Sequence, residues 1–525
     1  MSKKHILKSA GVIGFATVIS RVLGFLRDIL IAKFFGTAMY AQAFVVAFRI
    51  PNMLRDLIGE GATNAAFVPV LSEYSETRKK EEFWHLANVL LNVILIVLAV
   101  VTLLGVAFTP IIIRLIAPGF IEDPEKFRVT VYLTRLMFPY ILLVGLFAYC
   151  MGILNSLRHF SMPAFAPAIL NISIIICAML RMGSVNALAV GVLIGGVAQL
   201  VVQIPVLIAK GFVPFQTSRL IKGEQRPGTG HGFNLLKGIH HPAVKKIGVL
   251  LMPRIIGSCV YQINIFINTM LASISSIVGE GGVAALYYAN RIFQFPLAIF
   301  GIALAQAALP TMSREALESG LGKLKNTLSF SLRAVNFIML PASLGLIVLS
   351  EPITSVLFER GLFDRYSTLI TARALSFYSV GLFSYSGIKL LVSCFYSLKD
   401  TLTPVKVASV SLALNIVLNL ILMYPLKISG LALATSFSGI FNFLVLFFIL
   451  RKKIGPIDGR NILNSFLKVL MASIVMAVII HICIFKAGMN LFLVIFIGML
   501  GYATAAMIFD VKEAKEFMKW ALRIN

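Results

Sequence analysis

The sequence predicts an all-α polytopic membrane protein of about 14 transmembrane helices, each needing about 20 apolar residues to cross a bilayer. Three observations carry this. Of the 525 residues, 58% are hydrophobic and only 13% are charged, against about 25% charged in an ordinary soluble domain. Mean hydropathy is +0.91. The apolar residues are also gathered into runs of span length, with no alternating ten-residue strand pattern. Backbone groups in lipid must find partners within their own segment, so such runs must be helices. These figures exclude a soluble enzyme, a disordered chain and a disulfide scaffold.

Met1 to Lys8 is short and basic. The apolar run behind it contains Arg21, Arg27 and Asp28 and has no small-residue cleavage site, so it is expected to stay as the first helix rather than be removed as a signal peptide. Five further apolar segments complete an N-terminal lobe, residues 1–210. Residues 211–244 read as a cytoplasmic linker. Gly228 to Gly232 is glycine-rich but lacks the GxxxxGK[ST] spacing of a phosphate-cradling loop, and His240 and His241 are expected to be solvated. Six segments make a C-terminal lobe, residues 245–451. Residues 452–525 add helices 13 and 14 and a basic cytoplasmic tail.

With both termini placed inside, the inside segments hold about 27 Lys and Arg and the outside loops about 7, the bias that the positive-inside rule predicts. The net charge of +25 is thereby explained by cytoplasmic loops, and nucleic acid is not expected as a partner. Cys150, Cys177, Cys259, Cys394 and Cys483 all lie in apolar runs, with no close pair or histidine cluster. They are read as small packing residues, with no metal site and no cofactor.

The chain contains itself twice. Arg49-Ile50, Gly59, Asn64-Ala65-Ala66 and Pro69 recur as Arg291-Ile292, Gly301, Gln306-Ala307-Ala308 and Pro310. Ser156-Leu157-Arg158 and Pro163 recur about 241 residues later as Ser397-Leu398-Lys399 and Pro404. Six spans separate the copies, so two parallel-repeat six-helix lobes are expected, with a substrate site near mid-membrane between them.

Ionisable groups inside spans are costly and should face protein or water. The first two spans hold Arg21, Arg27, Lys33, Arg49 and Arg55 against Asp28, Asp56 and Glu60. Arg21 and Asp28 are seven apart, as are Arg49 and Asp56, so each pair shares a helix face. Pro51-Asn52 should loosen the second span. Arg254 and Arg291 add charge in the second lobe, and Arg135 and Arg373 sit at matching places, each shortly before a tyrosine. Lys33, Arg114 and Arg333 are expected to snorkel from span ends. Arg27 with Asp28 and Arg55 with Asp56 could be structural pairs, but the cationic excess favours an anionic, phosphate-bearing substrate that completes the arginines.

Ser20-Arg21-Val22-Leu23-Gly24-Phe25, Arg27-Asp28, Pro51-Asn52, Leu54-Arg55, Gly59-Glu60-Gly61-Ala62 and Ala66-Phe67-Val68-Pro69 together resemble the MurJ/MviN family. So do Ala117-Pro118-Gly119-Phe120, Pro163 to Pro167, Tyr287-Tyr288-Ala289 with Arg291, and Phe395-Tyr396-Ser397 with Thr403-Pro404. The resemblance implies two lobes, a helix 13–14 groove for a polyprenyl tail, and flipping of lipid II to the outer leaflet of the bacterial cytoplasmic membrane. It implies lipid II, membrane lipids and cell-wall synthesis machinery as partners, and no catalysis. It places Arg21, Arg27, Arg55, Arg291, Asp28 and Glu60 in the substrate cavity, and Ser20, Arg49 and Asn52 join them as candidate contacts. Gln42 and Asn290 stand where many members carry aspartate, which makes this cavity more basic. The competing readings are a flippase for another polyprenyl-diphosphate glycan and a cation-coupled drug exporter of the same superfamily. The second needs a titrating carboxylate and a negative cavity, and the basic excess argues against it. A membrane transferase would need clustered metal-binding aspartates, which the chain lacks.

Overall fold

A computed structural model describes residues 3–55, 66–212, 241–318 and 320–521, with side chains described except at 3–13, 252–258 and 518–521. Asp56, Glu60, most of the linker and the Arg254 side chain lie outside these residues. Every element among the described residues is helical. In chain order they begin with α1 (Lys3–Phe35), α2 (Met39–Arg55), α3 (Val68–Thr77), α4 (Lys80–Ile116), α5 (Pro124–Met137), α6 (Tyr140–Ser156), α7 (Ser161–Leu180), α8 (Val185–Ala209) and α9 (Pro242–Ala272). There follow α10 (Gly282–Pro296), α11 (Ala303–Glu315), α12 (Gly322–Val348), α13 (Ser350–Phe358), α14 (Arg365–Ser379), α15 (Leu382–Ser397), α16 (Leu402–Leu426) and α17 (Ile428–Ile454). The chain closes with α18 (Gly459–His481), α19 (Leu491–Ile508) and α20 (Lys512–Ala521).

Among the described residues ten helical stretches, with α5–α6 and α10–α11 each counted as one, are long and apolar enough to cross a membrane, or eleven if the α14–α15 pair, bent by 45°, is one span. The expected fourteen also include α1, which holds Arg21, Arg27, Asp28 and Lys33, α2, which holds Arg49 and Arg55, and α9, each of which contains or adjoins residues whose side chains lie outside those described.

The chain divides into two compact units, one of residues 1–35 and 39–266, the other of residues 36–38 and 267–525. The division falls inside α9. Its N-terminal part packs Ala243 and Ile247 against Phe83, Trp84 and Leu154 of the first unit, and Lys246 pairs with Glu73 at 2.6 Å.

Each unit repeats the same local devices about 241 residues apart. Asp123 caps α5 by accepting from the Glu125 and Lys126 amides, and Asp364 caps α14 by accepting from the Ser367 amide. At the other end, Ser156 Oγ donates to the Ile153 carbonyl and Ser397 Oγ to the Cys394 carbonyl, both at 2.7 Å. Arg158 (φ 62°) and Lys399 (φ 59°) then turn the chain in the left-handed region. The His159 amide reaches back to Leu154 and the Asp400 amide to Phe395, which closes the helix carbonyls in the manner of a C-terminal cap. Arg135 and Arg373 do not match as closely as expected. Measured from the two capping aspartates, Arg373 lies about one helical turn nearer its cap.

In the second unit α18, α19 and α20 pack on α12. Tyr502 donates to the Phe337 carbonyl at 2.7 Å, and Val469, Ala472, Ala505 and Ala514 close around Leu340. Arg333 does not snorkel. Its guanidinium donates to Glu513 of α20 at 2.6 Å, and Glu513 also accepts from Ser465 at 3.1 Å. Glu513 is buried, so this ion pair holds the C-terminal helix onto α12 and α18.

Candidate functional site

The charged residues of α1 divide into two environments. Arg27 and Asp28 are buried, at 5% and 0% exposure, whereas Arg21 is exposed. Arg27 donates from Nε and Nη2 to Asp28 Oδ1 at 3.0 and 2.8 Å, and from Nη1 to Asn171 Oδ1 of α7 at 3.0 Å. The Asn171 amide in turn donates to the Ser20 carbonyl at 3.1 Å. Gly24 lies between these two anchors, and a Cβ there would stand 3.4 Å from the Asn171 amide nitrogen. That is ordinary van der Waals distance, so α1 lies close against α7 here and one amide bridges one turn above and one below Gly24.

Thus Ser20, Arg27 and Asp28 come together around Asn171, a residue that sequence reasoning missed. Its signal was present as a lone amide in the apolar run Ser161–Leu180. Arg21 and Asp28 share a helix face by spacing but not an environment. Among the described residues Arg21 has no carboxylate partner. On α2, Arg49, Asn52 and Arg55 are all half-buried, while Gln42 is buried at 2% exposure. In the second unit Arg291 is half-buried on α10 and its guanidinium lies over the Tyr287 ring, 5.5 Å from the centroid. Neighbouring Asn290 accepts from Gln294 at 3.3 Å. Glu60 lies outside the described residues.

Polar groups also tie the second unit together. Asn419 donates to Asn268 and to Asn415, both at 2.9 Å, and Asn415 donates to Ser438 at 3.3 Å. These neutral amides join α9, α16 and α17. Among the described residues no group of three His, Cys, Asp or Glu could hold a metal ion.

Asp400 and His241 are among the titratable groups shifted outside the spans. Asp400, hydrogen-bonded by Lys453 and by the Thr403 amide and hydroxyl, is held at about 2. Burial, with a smaller effect of His85, pushes the His241 imidazole below its usual range. His241 is half-buried rather than solvated, and its Nδ1 accepts from the Ala243 amide at the start of α9.

Residues 31–502 match the family described as lipid II flippase MurJ. The chain belongs to the MurJ family. Among its MurJ relatives, the probable lipid II flippase of Buchnera aphidicola subsp. Acyrthosiphon pisum is 35% identical over 483 residues, 91% of this chain and 90% of the relative. The lipid II flippase MurJ of Burkholderia cenocepacia is 35% identical over 471 residues, 89% of this chain and 88% of its own. A solved MurJ in an inward closed conformation superposes with a TM-score of 0.78 at 27% identity, covering 96% of this chain and 99% of that one. An inward-facing MATE family multidrug transporter of the MOP superfamily superposes with a TM-score of 0.68 at 15% identity, over 84% of this chain and 96% of its own. That likeness is one of fold. The chain is therefore a multi-pass helical membrane protein of a transporter family, and MurJ proteins are flippases rather than enzymes.

Proposed function

We propose that this chain flips lipid II across the bacterial cytoplasmic membrane by alternating access, with both termini on the cytoplasmic side. The observation that carries the reading is Arg21, an exposed guanidinium without a carboxylate partner among the described residues, on a helix of MurJ-like sequence. A fixed planar cation in an apolar helix needs an anion, and a diphosphate offers the oxygens that guanidinium binds in pairs. Arg21, Arg55 and Arg291 are the residues we assign to the diphosphate, with Ser20, Arg49, Asn52 and Glu60 as further candidate contacts. Arg27 and Asp28 belong to this set through position. Their mutual pair and the Asn171 bridge hold α1, the helix that carries Arg21, against α7.

Asp28 already accepts two bonds from Arg27. A carboxylate so occupied is poorly suited to titrate as the coupling group of a cation exporter, which supports the flippase over that rival. The polyprenyl tail stays in lipid against α18 and α19, and cell-wall synthesis enzymes consume the product outside.

The test is complementation of cells depleted of their own flippase, read with an assay of lipid II in the outer leaflet. Arg21→Ala and Arg291→Ala are each expected to abolish flipping while membrane levels of the protein stay unchanged. Normal lipid II transport by Arg21→Ala would defeat the assignment.

A further inference from the structure

Capture of a diphosphate gives no role to α20, the C-terminal helix of the second unit. Its sequence separates two faces. Val511, Ala514 and Phe517 follow at intervals of three, and Glu513 stands four before Phe517, so all four share one side of the helix. Lys512, Lys515 and Glu516 occupy the other side, and all three are exposed.

Protein covers the first turn of the apolar side. Val511 and Ala514 are buried in the cluster around Leu340, and Glu513 is buried between Arg333 of α12 and Ser465 of α18. One turn later Phe517 is 60% exposed. A helix that lay in water would change to polar residues where the protein beneath it ends. This one continues its apolar stripe with an aromatic ring.

The level of α20 follows from what Glu513 touches. Ser465 lies about 9 Å inside the first residue of α18. Leu463 and Leu467, on either side of it in sequence, are 59% and 48% exposed. Both α18 and α19 are long and apolar enough to cross a membrane, so lipid covers such residues. The apolar layer therefore reaches the level at which Glu513 docks. Asp510, with φ 54°, turns the chain out of α19 there, and α20 runs along the edge of that layer.

The other side of α20 belongs to a cationic group. Lys468 of α18 and Lys515 both pair with Asp510, the former at 3.8 Å, and Lys512 is near enough to act on the same carboxylate. Three lysines share one aspartate, and with Glu516 counted the group is still positive. Long lysine stems can run over apolar surface and bring their ammonium groups to the headgroup layer.

We infer that α20 is a lipid-binding surface helix. Phe517 enters the acyl-chain boundary, while Lys468, Lys512 and Lys515 hold the phosphates of acidic phospholipids in the cytoplasmic leaflet. The choice of leaflet rests on the reading that both termini are cytoplasmic, and the lipid surface itself does not. Helices with lysines on the polar side and an aromatic ring on the other lie in the interface in this way, and an acidic leaflet attracts the lysines. An acidic protein partner would satisfy the lysines but leave Phe517 without an apolar cover. A second copy of the chain would bring its own lysines against these. Because Glu513 ties α20 to α12 and α18, headgroups held by the lysines brace that helix pair from the membrane surface.

The experiment uses the purified full chain. Phosphatidylglycerol, added to the protein in detergent, is expected to raise the unfolding temperature at lower concentration than phosphatidylcholine does. Lys512→Gln with Lys515→Gln is expected to weaken the phosphatidylglycerol response by about tenfold or more and to leave the phosphatidylcholine response unchanged, since each lysine near an acidic surface contributes several-fold. Both lysines are at the surface, so the variant should fold. Lys512→Arg with Lys515→Arg should retain the preference. An unaltered preference in the glutamine variant overturns the inference.

A second arm reads depth. Phe517→Cys, in a chain whose own five cysteines are serine, carries a nitroxide in nanodiscs. The label is expected to be open to oxygen, which concentrates in lipid, and shielded from a water-soluble nickel chelate. Ready access to nickel, as in water, overturns the inference, and so does shielding from both, as under a protein partner or a second copy. Neither arm uses lipid II, so failure to complement flippase-depleted cells would defeat the functional reading and leave this one standing. Labelling of Glu516→Cys by an impermeant thiol reagent from outside intact cells would overturn the leaflet, while the two lipid arms would still report on the surface.

Discussion

Asn171 binds two parts of α1 with one amide, accepting from Arg27 and donating to the Ser20 carbonyl. Both bonds are sheltered, and the guanidinium would keep only part of its hydrogen bonding without the amide oxygen. Asn171→Leu is therefore expected to destabilise the purified protein by about 2 kcal/mol, the cost of stripping a partner from a buried charged donor. Asn171→Asp keeps the acceptor and should cost less. Thermal unfolding in detergent distinguishes the two, and equal losses would show that the site tolerates no change of shape rather than requiring that acceptor. The contact was not legible in the sequence because its halves are 144 residues apart. What could be read was that Arg27 and Asp28 needed partners. That they find each other, and that Arg21 seven residues earlier does not join them, depends on where α7 crosses. Arg333 shows the same blindness. Near the end of an apolar run it reads as a snorkelling cation, and only the return of the chain 180 residues later supplies Glu513.

At the scale of elements, the repeat was legible because it is written in caps. Helix ends need specific residues to satisfy their open backbone groups, so an aspartate before α5 and before α14, and a serine ending α6 and α15, persist where the apolar interior between them drifts. The turn residues themselves are not optimal. Arg158 and Lys399 both sit at positive φ, a conformation that costs a side chain about 1 kcal/mol relative to glycine. Lys399→Gly is expected to raise stability by about 0.5–1 kcal/mol. Arg158→Gly should gain less, because it surrenders the exposed pair with Glu76. The two sites share no partner, so their effects should add in unfolding measurements. Hydropathy recognises a helix by what lipid would accept, and it says nothing of where the charged residues of α1, such as Arg27 and Asp28, find their partners.

For the whole molecule, the balance of charge has a direction. The first two spans carry five cationic and three anionic residues, an excess of about +2 at intramembrane depth. When the diphosphate is bound this excess is roughly neutralised, and after release it is not. The emptied protein then returns as a cation in a field that is negative inside. Two charges crossing half of a 100 mV potential change the energy by about 2.3 kcal/mol, roughly fiftyfold in the ratio of inward- to outward-open protein. The return step should therefore be driven by potential, with no ion carried. Collapsing the potential with valinomycin and external potassium is expected to slow lipid II flipping by an order of magnitude or more. Collapsing only the pH gradient with nigericin should leave it nearly unchanged. Asp28 is the buried carboxylate of α1, and its partner is a guanidinium that does not lose its proton at any physiological pH, so a dependence on the pH gradient instead of the potential would contradict both the pairing and the proposed return step.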